Sequence, residues 1–161
     1  MALCALAPLM ISEADAASGE LRKSNKLLKI AAFQLTDPVE NAKGMISMDE
    51  KGRLFRHDDK GKKVEFGKVS ANGILQSSDG KDAGKLKHNG EMVNPEGRRL
   101  GILKADGTVV ALDGQKWIWD EGGVLKVPGE RNKLKVVPNN ADTRRIASIF
   151  LCLWFTPLPV E

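Results

Sequence analysis

The chain has 161 residues, a formal net charge of +4, 16 glycines, 2 cysteines, no tyrosine and only 5% aromatic residues. That length supports one domain with a modest core. Its charges alternate in sign instead of forming the single-sign, aromatic-studded patch of a nucleic-acid binder, so no nucleic acid is expected as a partner. Cys4 and Cys152 sit in separate apolar runs, which gives neither a disulfide framework nor a thiolate metal site.

Residues 1–11 (MALCALAPLMI) are apolar, and Ala14-Asp15-Ala16 has the small-x-small form of a signal-peptidase site. A signal peptide is expected over 1–16, and with it export to the periplasm, the cell envelope or the medium. No Lys or Arg precedes the apolar run, so the alternative is an apolar N-terminal helix packed on a cytoplasmic domain. The run is shorter than the roughly 20 residues that span a bilayer. Residues 17–26 are polar. Leu27–Leu35 is apolar enough for a buried strand or a short helix; Ile30, Phe33 and the β-rich sequence downstream favour the strand. Asp37-Pro38 ends it.

Gly67–Trp117 holds three tandem units of 17 residues, GKVSANGILQSSDGKDA, GKLKHNGEMVNPEGRRL and GILKADGTVVALDGQKW. Asn72-Gly73, Asn89-Gly90 and Asp106-Gly107 are pairs preferred in type I′ hairpin turns. Asp79-Gly80, Glu96-Gly97 and Asp113-Gly114 supply a second turn per unit, which predicts two strands per unit. The third residue (Val69, Leu86, Leu103) and the ninth (Leu75, Met92, Val109) are always apolar and are the expected core face. The opening glycine shares that face and leaves room for a bulge or a bulky neighbour. Gly44–Phe66 reads as a longer preceding copy, with glycine spacings of 8, 9 and 6 against 6, 7 and 4. Each increment is two residues, which preserves the facing of a strand of period two.

Trp117-Ile118-Trp119 follows, with both indoles on one face. Val124–Val127 and Leu134–Val137 read as closing strands, bounded by Pro128 and Pro138 as suits sheet edges. Asn140-Ala141-Asp142 suits a helix start. Ile146–Phe155 has no polar face, and Pro157 and Pro159 end it. A helix from Asp142 to Phe155 would be about 21 Å long, short of a roughly 30 Å bilayer core. Burial against the sheet is expected; a partner surface or a shallow membrane anchor are the alternatives.

Chemical signatures are missing: there is no nucleophile elbow, Walker loop, Rossmann fingerprint or paired C-x-x-C. His57-Asp58-Asp59 is accounted for by a turn. One carboxylate per turn falls short of the six to eight oxygens that calcium takes. No catalytic residue, cofactor or metal is therefore expected. The residues set aside for ligand or partner contact are Trp117, Trp119, Phe150, Trp154 and Phe155.

The Gly-Lys-Leu and x-Asp-Gly cadence of Gly67–Trp117 resembles that of bacterial cell-envelope proteins with short Gly-turn β-repeats. Gly101-Ile-Leu-Lys-Ala-Asp-Gly-Thr-Val-Val is also similar to the strand–turn–strand core of WG-type repeats, though the unit is half as long and lacks the Trp-Gly pair. The resemblance covers about a third of the chain and brings no catalytic residues. The expected fold is all-β: an antiparallel meander of roughly ten strands over 27–137, as a curled sheet or flattened barrel, with an apolar C-terminal helix within 140–161. A β-solenoid is the alternative. The expected function is a non-catalytic structural or interaction protein of the bacterial cell envelope, meeting another envelope protein or a membrane surface through its C-terminal segment. A carbohydrate- or small-ligand-binding module using Trp117 and Trp119 is the alternative.

Overall fold

A computed structural model of the chain describes residues 26–37, 46–130 and 133–155. The expected signal peptide over 1–16, Gly44, and the terminating Pro157 and Pro159 lie outside them. Among the described residues there are twelve strands: β1 Phe33–Thr36, β2 Ile46–Met48, β3 Arg53–His57, β4 Lys63–Val69, β5 Ile74–Ser77, β6 Asp82–Leu86, β7 Glu91–Val93, β8 Arg99–Leu103, β9 Val109–Ala111, β10 Lys116–Trp119, β11 Val124–Lys126 and β12 Leu134–Val137. One helix, α1 Ala141–Phe155, follows.

Every strand pairs antiparallel with its sequence neighbours, and β1 pairs with both β2 and β12, so the meander closes into a barrel. The antiparallel pairing rules out the solenoid. Closure also corrects the reading of Pro128 and Pro138 as edge markers: β12 holds β1 through Gln34↔Val137, Leu35↔Val136 and Thr36↔Lys135, and no edge remains. The Leu27–Leu35 run is strand only from Phe33; Leu27 and Leu28 instead donate their N–H groups to the Ala71 carbonyl.

The turns differ from the expected type I′. Gly73 N–H bonds the Ser70 carbonyl while Ser70 N–H bonds the Ile74 carbonyl, which makes a three-residue loop. The same pair of bonds recurs at Gly52, Gly61, Gly80, Gly90, Gly97, Gly107, Gly114 and Gly123, each with φ between +77° and +90°. This is the type I turn with a G1 bulge, in which the left-handed residue is the one after the turn centre. Asn and Asp therefore act here through their side chains. Asp106 Oδ1 accepts from Thr108 N–H at 2.9 Å and Asp113 Oδ1 from Gln115 N–H at 2.9 Å. Where the loop opens on Asp or Asn, that residue takes the bond: Asp120 Oδ1 accepts from Val124 N–H and Asn94 Oδ1 from Arg98 N–H. Gly52 and Gly61, within the expected longer copy Gly44–Phe66, obey the same rule.

The core is the inner wall plus the helix. Third-position Val69, Leu86 and Leu103 and ninth-position Leu75, Met92 and Val109 are all buried, alongside Phe33, Leu35, Leu54, Leu125 and Val136. Helix α1 starts at a capping box: Asn140 Oδ1 accepts from Thr143 N–H, and Asn140 N–H bonds Thr143 Oγ1. Every residue from Ile146 to Cys152 is buried. A helix apolar on all sides needs an environment on all sides, and the barrel supplies it.

Candidate functional site

The barrel interior, where a ligand pocket would be expected, is filled by the chain itself. A Cβ placed on Gly84 would fall 2.6 Å from Leu153 Cδ2, and one on Gly67 would overlap the Trp154 ring. Gly67 and Gly84, which open the first two repeats, thus reserve space for helix side chains, whereas Gly101 packs on Val109, Val110 and Met92 of the wall. Phe66, Phe150 and Trp154 form one aromatic cluster with centroid separations of 5.0 to 5.6 Å. Trp119 Nε1 donates to Ser148 Oγ at 2.8 Å, and Ser148 Oγ donates to the Gly107 carbonyl at 2.6 Å. Ser148 is the one hydroxyl in the apolar run, and both of its bonds are internal.

These contacts place the aromatic candidates. Phe150 is 0% exposed and Trp119 6% exposed, both inside the barrel. Trp154 and Trp117 are partly buried against the same core. The side chain of Phe155 lies outside the described residues. The structure brings Phe150 and Trp154 together as packing partners and leaves the Trp119 indole no face toward solvent. No helix among the described residues is long and apolar enough to cross a membrane.

The two ends of the barrel differ in a way the sequence pattern hides, because the turns look alike. At one end, turn glycines pack on their neighbours: Gly107 against Arg144, Gly123 against Asn139, Gly90 against the Leu103 carbonyl. Carbonyls of this rim accept the N–H of the next unit, in Gly73–Leu86, Gly90–Leu103 and Gly123–Val136, while that of Gly107 takes Ser148 Oγ. At the other end Gly61, Gly80, Gly97, Gly114 and Gly129 have no atom within 4 Å of a would-be Cβ. One rim is closed by a carbonyl ladder and the helix N-terminus; the other is a ring of free-standing turns. Alternating contact distance was the signal, and it is a tertiary property.

Two polar features remain. Ser47 Oγ and His57 Nε2 lie 2.9 Å apart across the outer face of β2 and β3. Ser47 is buried under its neighbours, so a substrate could not reach the hydroxyl. A shallow cleft of about 490 Å³ lies between the β5–β6 and β7–β8 turns, lined in part by Lys81, Asp82, Lys85 and Asn94. Asp82 is engaged there by Gln76 Nε2 at 3.0 Å. No group of three or more His, Cys, Asp or Glu residues suited to a metal ion occurs among the described residues. The aspartates whose acidity is shifted belong to turns: the Thr108 N–H holds Asp106, and the Val124 N–H holds Asp120, below the ordinary carboxylate range, while Glu91 on β7 is lowered by the Asn89 side chain. Comparison with known proteins finds no family model, no curated protein and no solved structure that matches the chain.

Proposed function

We propose that the chain is a non-catalytic interaction protein of the bacterial cell envelope, working through its outer surface and its open rim. The observation that carries this reading is the filled interior: α1 occupies the space in which a barrel of this kind would hold a ligand. What is left to meet other molecules is the outer wall and the free-standing turns. This moves the expected contact away from the C-terminal apolar segment, whose side chains from Ile146 to Cys152 are consumed in the core. The compartment rests on the apolar 1–11 run and Ala14-Asp15-Ala16.

Cell fractionation with N-terminal sequencing of the mature protein tests the reading. A mature N-terminus following Ala16 in the envelope or periplasmic fraction supports it. Full-length protein found only in the cytoplasm overturns it.

A further inference from the structure

We propose that the outer wall built by β9 to β12 is a docking face for an anionic phospholipid surface. On this wall the cross-strand pairs join an aliphatic residue to a lysine: Val110↔Lys116, Ile118↔Lys126 and Val124↔Lys135. Val137 on β12 adds an exposed aliphatic residue, opposite Gln34. Four large hydrophobics stand exposed among the described residues; Ile118 and Val137, each at 46%, are on this wall, and Leu112 at 57% is in the rim turn beside it.

The wall from β5 to β8 holds such a pair too, Ile74↔Lys85, but is otherwise built differently. There the charges answer one another: Glu91 takes Lys87 at 3.6 Å and Arg99 at 3.5 Å, and Gln76 bonds Asp82. Among the described residues of β9 to β12 the one ion pair is marginal, Lys126 Nζ to Asp120 Oδ2 at 4.0 Å. Asp113 and Glu130 stand in the rim turns beside the wall, outside the checkerboard itself.

This chemistry selects a lipid headgroup layer over a protein. The wall is the convex outside of a barrel and presents single aliphatic tips, whereas protein interfaces concentrate their energy on anchors seated in pockets. Strand spacing sets lysine and aliphatic side chains about 5 Å apart. Lysine stems can lie along the aliphatic surface while the ammonium groups reach phosphates. Each lysine close to an anionic surface strengthens binding about fivefold, so Lys116, Lys126 and Lys135 together give about a hundredfold. The proposal takes only the compartment from the envelope reading. Vesicle binding and export are measured separately, so failure of either is recognisable by itself.

The test is co-sedimentation of the purified full chain with vesicles of phosphatidylcholine, alone or containing about one third phosphatidylglycerol. Binding is expected only to the anionic vesicles and is lost at high salt. K116E/K126E/K135E removes the three attractions and adds three repulsions, so it is expected to lose more than about a hundredfold in partition coefficient. K63E/K68E/K85E, the same charge change on other strands, should lose less than about fivefold. The apolar 1–11 run is common to all variants, so differences isolate the wall. I118S/V137S is expected to lose about tenfold with its salt dependence unchanged. K116R/K126R/K135R, which keeps charge and fold, should bind like the native chain. Equal binding to neutral vesicles, equal losses in the two glutamate variants, full binding by I118S/V137S, or displacement by polyglutamate as effective as by anionic vesicles would each overturn the proposal.

Discussion

Two glycines with the same backbone conformation and different surroundings separate backbone strain from helix docking. Gly97 has φ +81° and no atom within 4 Å of a would-be Cβ. Gly107 has φ +90°, and its Cβ would fall 2.6 Å from Arg144 Cβ, 3.0 Å from the Arg144 carbonyl carbon and 3.2 Å from Arg145 N. Gly97→Ala therefore carries the left-handed cost alone, about 1–2 kcal/mol. Gly107→Ala carries that cost plus overpacking. Two of its three close atoms are main chain and cannot swing aside, so a further ~1–3 kcal/mol is expected. With a urea m-value of about 2 kcal/mol/M, the gap appears as a midpoint difference of roughly 0.5–1.5 M. Urea unfolding of both variants, followed by far-UV circular dichroism at constant m, reads it directly. Equal losses would mean that α1 does not rest on the Gly107 turn, and the account of the closed rim would fail with it.

Other expectations follow from the same contacts. Ser148→Ala leaves the Trp119 N–H and the Gly107 carbonyl unpaired in the core, which should cost about 2–4 kcal/mol by denaturant unfolding. Phe150→Ala removes a fully buried ring between Phe66 and Trp154, and a loss of about 3–5 kcal/mol is expected in the same assay. Deleting residues 141–161 should abolish cooperative thermal unfolding and raise binding of an apolar dye; a truncated chain that melts cooperatively at the native temperature would contradict this. The Thr108 N–H lowers the Asp106 carboxyl, so its stabilisation is fully present above the unfolded carboxylate pKa of about 3.9 and fades as pH falls through the lower folded value. Asp106→Asn keeps the acceptor and cannot titrate, so its urea midpoint should fall less steeply on acidification than that of the native chain.

The wall was legible in the sequence because its signals are local. Gly recurrence marked the turns, and period two put Val69, Leu86, Leu103, Leu75, Met92 and Val109 inside, where all six are found. Turn type was misread for a physical reason: Asn-Gly serves either a type I′ centre or the end of a G1-bulge loop, and the choice is made by a hydrogen-bond register one residue long. Closure stayed open between a curled sheet and a flattened barrel, because the β1–β12 pairing that decides it joins residues about a hundred positions apart, Gln34 and Val137, with no composition to announce it. The aromatic candidates illustrate the same limit. Trp119 looks the same in sequence whether its indole meets a sugar or the hydroxyl of Ser148, and only the long-range bond distinguishes the two.

The repeat and the helix explain each other. A sheet whose units each open on glycine has a notch in its inner wall at Gly67 and Gly84, which would be a void in a barrel with nothing inside. A helix with no polar face from Ile149 to Phe155 cannot lie on a surface without exposing an apolar side. Placed inside, Trp154 and Leu153 fill the notches, and Ser148 answers both the Gly107 carbonyl and the Trp119 N–H. The closed rim follows from the same seating. Turn glycines there are held by the next unit or by the helix start, while those of the opposite rim touch nothing. The conformational freedom of the domain should therefore concentrate in the open-rim turns, and the rigid closed rim and core leave the outer strands as the fixed platform on which contacts are displayed.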